Sequence, residues 1–504
     1  MAQNTAPPHR FNMAEHSLGP APHRDPDKVA LIEAHSATEA TVWTYGQLLR
    51  AVQGAMFGLA EEGVQPGDRV LLHLSNGARF PILFFAALGM GAVPVPTSAQ
   101  LSLRELREVH RQVAPRLSCL SGASATLPGP VLREHAAQRF DHMPTRDIAT
   151  TCADDLGYIV FTSGTSSRPR GVAHAHRAGY ARRMMWRGWY GLGPEDVMLH
   201  AGAFNWTYTL GTGLTDPWAA GATAVVYTGP KDPSIWPKLI DRHRATLFAA
   251  APGVYRQMLK AQSEPGQFRT LRHGLSAGES LPNVTRKTWH ERTGTEIHEA
   301  LGMTEISTFV SGAPSRPAPQ GSLGYPQPGR QIAVLDQNGA AAPPGTEGIL
   351  AVHRSDPGLM RGYWRDPDAT RAAFVGDWFL TGDRVCQHPD GAITYLGRPE
   401  MRLNAGGHRV SASEVEAVLE AQAGVVAAAV VDLPVGPATS ILAAFVESPD
   451  NTFSTDHLAR ACAAELAAYK RPRQITRVDA LPRTATGKLK RKALIDQFGW
   501  KDAP

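Results

Sequence analysis

The sequence predicts an α/β fold with mainly parallel sheets over two or three domains, the last of them a small α+β domain at the C-terminus. Three observations predict it. Short apolar, β-favouring runs at 67–74, 92–96, 196–200, 222–227 and 245–250 alternate with helical patterns, the mark of βαβ units. At 504 residues the chain is too long for one compact core. With 43% hydrophobic and 19% charged residues, its composition is that of a globular protein, not a disordered one.

The elements follow in order. In residues 43–60, Thr44 stands where it can cap a helix whose apolar face carries Leu48, Leu49, Val52 and Leu59. Gly67-Asp68 is a turn and the run to His73 and Leu74 a strand. Residues 80–89 read as a buried helix and 92–96 as a strand. This is the most hydrophobic stretch of the chain, but Pro81, Gly89, Gly91 and Pro94 interrupt it well short of the ~20 apolar residues of a membrane span. Residues 1–20 contain no apolar core of a secretory signal, so no membrane insertion or export is expected. Cys119, Cys152, Cys386 and Cys462 are scattered with no Cys-x-x-Cys pair, which fits a reducing cytoplasm rather than a disulfide framework or zinc knuckle. The formal charge of +5 suits an anionic small-molecule ligand. No basic run interleaved with aromatics points to nucleic acid.

Residues 158–161 are a buried strand running into Thr162-Ser163-Gly164-Thr165-Ser166-Ser167-Arg168-Pro169-Arg170-Gly171. A loop so dense in hydroxyls and glycines can turn N–H and O–H donors toward an anion, and Arg168 and Arg170 add charge. It is not a Walker A element: Gly164 and Gly171 are wrongly spaced and no Lys-Ser/Thr follows. His174 and His176 share a face of the next segment, either as half of a metal site or as packing behind the loop. Residues 202–213, with Phe204, Trp206 and Tyr208 between glycines, are either a core loop or the wall of an apolar pocket.

Further on, Ser276-Ala277-Gly278-Glu279-Ser280-Leu281-Pro282 follows a strand. Gly278 lets a planar base approach the backbone, and Pro282 opens a helix. Glu299-Ala300-Leu301-Gly302-Met303-Thr304-Glu305 ends in an acid that either complements a helix start or binds a hard cation. Residues 312–346 are Pro- and Gly-rich with short strands only. Trp378-Phe379-Leu380-Thr381-Gly382-Asp383 puts a carboxylate at a strand end, where it either stabilises a turn or accepts two ribose hydroxyls. Ser413 is expected to cap a helix. Strands at 425–431 and 443–447, a helix at 458–468 and a basic tail from Lys470 to Lys492 complete the chain. Such a tail, read alone, is solvated surface.

Phe-Thr-Ser-Gly-Thr-Ser-Ser-Arg-Pro-Arg-Gly, Ser-Ala-Gly-Glu, Gly-Met-Thr-Glu, Thr-Gly-Asp, Gly-Arg and Leu-Pro-Arg-Thr-Ala-Thr-Gly-Lys occur in this order over residues 157–491. Together they resemble the adenylate-forming superfamily, and within it the acyl- and aryl-CoA synthetases, closest in character to benzoate-CoA ligases. The resemblance implies an acid–thiol ligase that uses ATP, Mg²⁺ and coenzyme A. A carboxylic acid would become an acyl-adenylate with loss of pyrophosphate, and the acyl group would then pass to CoA. Loading of a carrier protein, a luciferase-like oxygenase and an inactive nucleotide-binding regulator are the other readings.

Residue by residue, the resemblance implies nucleotide contacts for Thr162, Ser163, Gly164, Thr165, Ser166, Arg170, Gly278, Glu279, Glu299, Ala300, Leu301 and Gly302. It makes Asp383 and Arg398 the ribose pair. Thr304 would touch the α-phosphate, Glu305 bind Mg²⁺, and Lys488 assist adenylation. Phe204, Trp206, Thr207, Tyr208, Ala277, Gly302 and Thr308 would face the acid, with Gly407 and Arg409 on the CoA side. It also implies a large N-terminal domain of α/β subdomains at 1–396 and a small mobile C-terminal domain at 402–504, with a hinge at 397–401 centred on Glu400. Ser167, Arg170, Glu400 and Met401 depart from the usual Gly, Lys, Asp and Asp. Acylation of Lys488 by a modifying enzyme would abolish its charge. The acid's identity and the oligomeric state are not legible in the sequence.

Overall fold

The computed structural model describes residues 6–21, 24–122, 126–162, 169–230, 232–260, 268–397, 402–405, 408–436, 439–448, 454–466, 470–484 and 489–499. Its largest sheet has nine strands, in the order Tyr325–Pro326, Ser307–Ser311, Glu296–Met303, His273–Ala277, Leu247–Ala250, Val197–His200, Thr223–Tyr227, Val29–Ala34 and Ala40–Thr44. From Val29–Ala34 to Glu296–Met303 every neighbour is parallel, and the outer strands pair antiparallel. A second sheet, Val93–Pro96, Arg69–His73, Leu117–Leu120 and Val131–Arg133, is parallel throughout. The predicted α/β architecture is present.

Two local expectations hold for the reasons that produced them. Thr44 and Gln47 form a reciprocal capping box at the start of the Tyr45–Glu61 helix, burying Leu48, Val52 and Leu59. The Arg79–Gly89 helix is buried from Phe80 onward, packed on the Tyr45–Glu61 helix and the Met13–Leu18 helix. Among the described residues no helix is long and apolar enough to cross a membrane.

Elsewhere the sheets are antiparallel. Leu156–Thr162 forms a hairpin with Arg170–Ala175, and Gly362–Tyr363 extends it. Trp378–Gln387 pairs antiparallel with Glu347–His353 and Ile393–Gly397. That strand runs ten residues, so Thr381-Gly382-Asp383 lies within it rather than at its end. The correction has a physical cause: pairing slips between Ile349 and Ala351, and Gly382 takes φ +75°, so the strand kinks and then resumes.

Three further expectations shift. Residues 202–213 are largely helical, because Thr207–Leu210 continues through Gly211–Thr215 into Asp216–Ala220, which buries Leu210, Leu214 and Trp218. Thr304 and Glu305 sit in a hairpin turn between Glu296–Met303 and Ser307–Ser311, not at a helix start. The Ala412–Glu420 helix starts one residue before the expected cap Ser413. The strand expected at 425–431 runs Ala427–Gly436, and the helix expected at 458–468 is Thr455–Glu465, capped by Ser454.

The C-terminal residues build their own core. Ala427–Gly436 and Thr439–Glu447 pair antiparallel and Gln474–Val478 adds in parallel. One face packs on Val415, Leu419, Leu458 and Leu466, the other on Leu481 and Leu494.

Candidate active site

The hairpin Leu156–Thr162/Arg170–Ala175 carries the hydroxyl-rich turn. Ser163, Gly164, Thr165, Ser166, Ser167 and Arg168 lie outside the described residues. At its base, Thr162 Oγ1 lies 3.4 Å from the carbonyl of Arg170. The exposed Arg170 guanidinium stands 4.7 Å over the Tyr363 ring and 3.8 Å from Asp366, which orients its charge at the hairpin.

Tyr363 then reaches the Thr304–Glu305 turn, donating its hydroxyl to Glu305 Oε1 at 2.9 Å. Glu305 is 8% exposed. Burial, reinforced by the Glu305 carboxylate, pushes the Tyr363 hydroxyl up, keeping it a donor. From the other side His174 Nε2 donates to the Thr304 carbonyl at 2.8 Å. Burial lowers His174 to about 4, so the ring is neutral. Its ring stacks on Tyr158, and His176 Nδ1 accepts from the Met13 amide, so each imidazole is structural and the packing reading of this pair is the one observed. Among the described residues no group of three or more His, Cys, Asp or Glu could cage a metal. A single buried carboxylate beside a threonine fits Mg²⁺, which usually takes one or two carboxylates and completes its shell with phosphate and water.

Beside this turn, Ala277 and Ala300 are register partners on neighbouring parallel strands. Gly302 follows two residues on, just past a shift in strand register; a Cβ there would meet the Ser307 carbonyl at 2.8 Å. Tyr208 covers this floor, donating its hydroxyl to the Leu275 carbonyl at 3.2 Å. Gly278, at φ +96°, exposes its backbone next to Trp206. The structure thus brings Trp206, Thr207, Tyr208, Ala277, Ala300, Leu301, Gly302 and Thr308 to one end of the large sheet. Phe204 is a correction. It points into the N-terminal core, 5.1 Å from Phe80, because the helix that starts at Thr207 turns its preceding loop inward.

Other side chains have prior engagements. Glu299 accepts from the Leu281 amide and from Arg286, both at 3.0 Å, and so shapes the Gly278 loop. Glu279 meets Arg483 of the C-terminal part at 3.2 Å. Asp383 is 3% exposed, with Thr381 Oγ1 accepting from its amide and Tyr395 donating at 3.5 Å. Arg398, Glu400, Met401, Gly407 and Lys488 lie outside the described residues, as does the side chain of Arg409, whose backbone belongs to His408–Ser411.

Residues 20–364 match the model of the AMP-binding enzyme family, and residues 414–488 that of the AMP-binding enzyme C-terminal domain. The chain belongs to the AMP-binding enzyme family. Among relatives, the 3-hydroxybenzoate–CoA ligase of Aromatoleum sp. (strain CIB) is 30% identical over 89% of this chain and 90% of its own. The 4-hydroxybenzoate–CoA/benzoate–CoA ligase of Rhodopseudomonas palustris is 32% identical over 90% and 88%. A benzoate CoA ligase from Burkholderia xenovorans LB400 superposes with a TM-score of 0.85 at 30% identity, covering 96% of this chain and 99% of that one.

For an AMP-binding enzyme, several supporting residues went unread in the sequence. His174 and Tyr363 hold the Thr304–Glu305 turn; Arg182 bridges Asp216, Tyr190 and Ser307. Arg330 pairs with Asp356 at 3.0 Å and donates to the Thr308 carbonyl. Only the His-x-His spacing gave any signal, since the other partners are distant in sequence.

Proposed function

We infer that the protein is an ATP-dependent, AMP-forming ligase that joins an aromatic carboxylic acid to coenzyme A, within the wider class of aryl and small or medium acyl acids. The observation that carries the aryl reading is the slot itself. Ala277 and Ala300 pair across neighbouring strands, Gly302 follows, and Tyr208 packs against the two alanines, which would give the slot a floor of small side chains and an aromatic wall. Small side chains under an aromatic wall fit a flat ring. Relatives named for benzoate and hydroxybenzoates support the same class.

The reaction asks the site to join two anions. The acid's carboxylate oxygen attacks the α-phosphorus of ATP and pyrophosphate leaves; the thiol of CoA then attacks the carbonyl carbon and AMP leaves. Thr304 and the hydroxyl turn after Phe161 offer hydrogen bonds to the phosphates, and Lys488 offers charge where the negative oxygens crowd. Mg²⁺ held at Glu305 supplies Lewis-acid neutralisation of the phosphate oxygens. Gly278 gives adenine an open backbone edge, and Asp383 and Arg398 take the ribose hydroxyls. Gly407 and Arg409 face CoA. Residues 1–396 bind nucleotide and acid, residues 402–504 carry Lys488, and residues 397–401, centred on Glu400, are the hinge about which the smaller part turns between half-reactions.

The test is AMP release from an acid panel with and without CoA. Pyrophosphate release with acid and ATP alone, followed by thioester and AMP only when CoA is added, is expected. AMP release that needs a carrier protein would redirect the reading, and nucleotide binding without turnover of any acid would end it.

A further inference from the structure

Glu279 and Arg483 tie a loop of the large sheet to the C-terminal part. Arg483 Nη1 stands 3.4 and 3.2 Å from the two carboxylate oxygens of Glu279. Glu279 comes two residues after the His273–Ala277 strand, next to the Gly278 backbone edge. The Arg483 and Glu279 side chains are only 24% and 19% exposed, so solvent screens them less than a surface pair.

Arg483 is also fixed from its own side. Two residues earlier, Leu481 is buried in the C-terminal core, and its amide donates to Glu447 Oε2 at 3.2 Å. Arg483 and Leu489 are antiparallel bridge partners, and the Lys490 amide donates to the Pro482 carbonyl at 2.8 Å. Pro482–Arg483 and Leu489–Lys490 are thus two legs of one backbone frame. Lys488 is joined to that frame by a single peptide bond, at Leu489. A grip on Arg483 is therefore a grip on the base from which Lys488 is presented.

The charges around the pair give Glu279 its weight. Arg256, on the Pro252–Lys260 helix, is lowered by burial and then by Arg483, while Glu279, Glu420 and Glu447 oppose that shift. Two guanidiniums, one from each part of the chain, thus lie within reach of the same carboxylate, which offsets their repulsion. Turning the C-terminal part about residues 397–401 would carry Arg483 away, because Glu279 stays with the large sheet. The contact belongs to one arrangement of the two parts and is lost in the other.

We propose that the Arg483–Glu279 pair is a latch for the adenylate-forming half-reaction, which makes Arg483 a positioning residue for Lys488. The latch rests on the reading above, in which the two parts turn between half-reactions and Lys488 serves the first. It assigns the Glu279 carboxylate to the C-terminal part rather than to the nucleotide.

The experiment follows the two half-reactions separately on the full chain. The first is pyrophosphate release from MgATP and the best acid of the AMP-release panel; the second is thioester formed from CoA and that acid's prepared adenylate. Arg483→Gln is expected to slow the first roughly tenfold and to leave the second within about twofold. Arg483→Lys, which keeps the charge, should recover most of the lost rate, a rescue that a packing defect would not show. Glu279→Gln should cost the first half-reaction little once Arg483 is already Gln, because the pair is then broken. Equal slowing of both half-reactions by Arg483→Gln, no slowing of the first, or fully additive losses from the two glutamine variants overturns the latch. Lys488→Ala separates that failure from failure of the reading beneath it. If Lys488→Ala loses the first half-reaction alone, only the latch falls; if it loses both equally, the reading falls with it.

Discussion

His174 Nε2 and the carbonyl oxygen of Thr304 are 2.8 Å apart, joined by a hydrogen bond from the Arg170–Ala175 strand to the turn that bears Glu305. Tyr363 closes the opposite side by donating to Glu305. Two elements remote in sequence thus hold Thr304 and Glu305 in one orientation, before any nucleotide arrives. Preorganised groups of this kind spend no reorganisation energy during the reaction.

The clamp predicts a magnesium phenotype. Tyr363→Phe removes a hydrogen bond to a carboxylate, an interaction of about 1.5–3 kcal/mol. The Mg²⁺ concentration for half-maximal AMP release should rise by roughly 3–10-fold. His174→Phe keeps the stack on Tyr158 but leaves the Thr304 carbonyl unpaired, and should lower kcat with little change in the acid's KM. Magnesium titrations of initial rate check both, and an unaltered magnesium curve for Tyr363→Phe would remove Tyr363 from the site.

Acid should unfold the protein early. Burial lowers His174, His176, His273 and His298 to about 4, and His200 to about 3. Unfolded, each titrates near 6.5. As pH falls below that value the unfolded chain binds protons that the folded chain refuses, so stability declines between about 6.5 and 4. At pH 5 the loss is on the order of 2 kcal/mol per histidine. Urea unfolding at pH 7.5 and pH 5 measures it; equal midpoints would mean that these imidazoles are not held neutral.

Much of the fold was legible because its evidence is local. Apolar runs such as those ending at His73, His200 and Ala250 are buried strands, and Thr44 caps a helix through atoms three residues away. What failed depends on distant pairing. Asp383 lies mid-strand because Glu347–His353 slips register opposite it, and nothing in Trp378–Asp383 encodes that. Residues 202–213 looked like a loop because of their glycines. Yet Gly211 leaves space for the Arg182 guanidinium and Gly213 for His200, so the glycines serve packing inside a helix. Phe204 packs on Phe80, a partner remote in sequence that its own neighbours do not encode.

The Arg182–Asp216 pair should be costly to break and cheap to replace. Both side chains are buried, with Tyr190 donating to Asp216 at 2.7 Å and Arg182 to Ser307 at 2.5 Å. Asp216→Ala leaves an unpaired buried guanidinium and should cost about 3–5 kcal/mol by equilibrium unfolding. Arg182→Met with Asp216→Leu should recover most of that loss, since the desolvation of both charges is then avoided. A double variant no more stable than Asp216→Ala would show that the pair's other hydrogen bonds, not its charge balance, dominate.

Lys488 should separate the two half-reactions. It follows Leu481-Pro482-Arg483, and Arg483 meets Glu279 beside the Gly278 edge proposed for adenine. That contact brings the segment before Lys488 to the nucleotide side of the slot. Lys488→Ala should lower acyl-adenylate formation by roughly 10²–10³-fold, the scale of losing one charge-stabilising group in a closed site. Thioester formation from supplied acyl-adenylate should survive, because it needs no charge on the departing pyrophosphate. Equal loss of both half-reactions would falsify the assignment. Acetylation of Lys488 removes the same charge and should mimic the alanine variant, and full activity of homogeneously acetylated protein would exclude that mode of control.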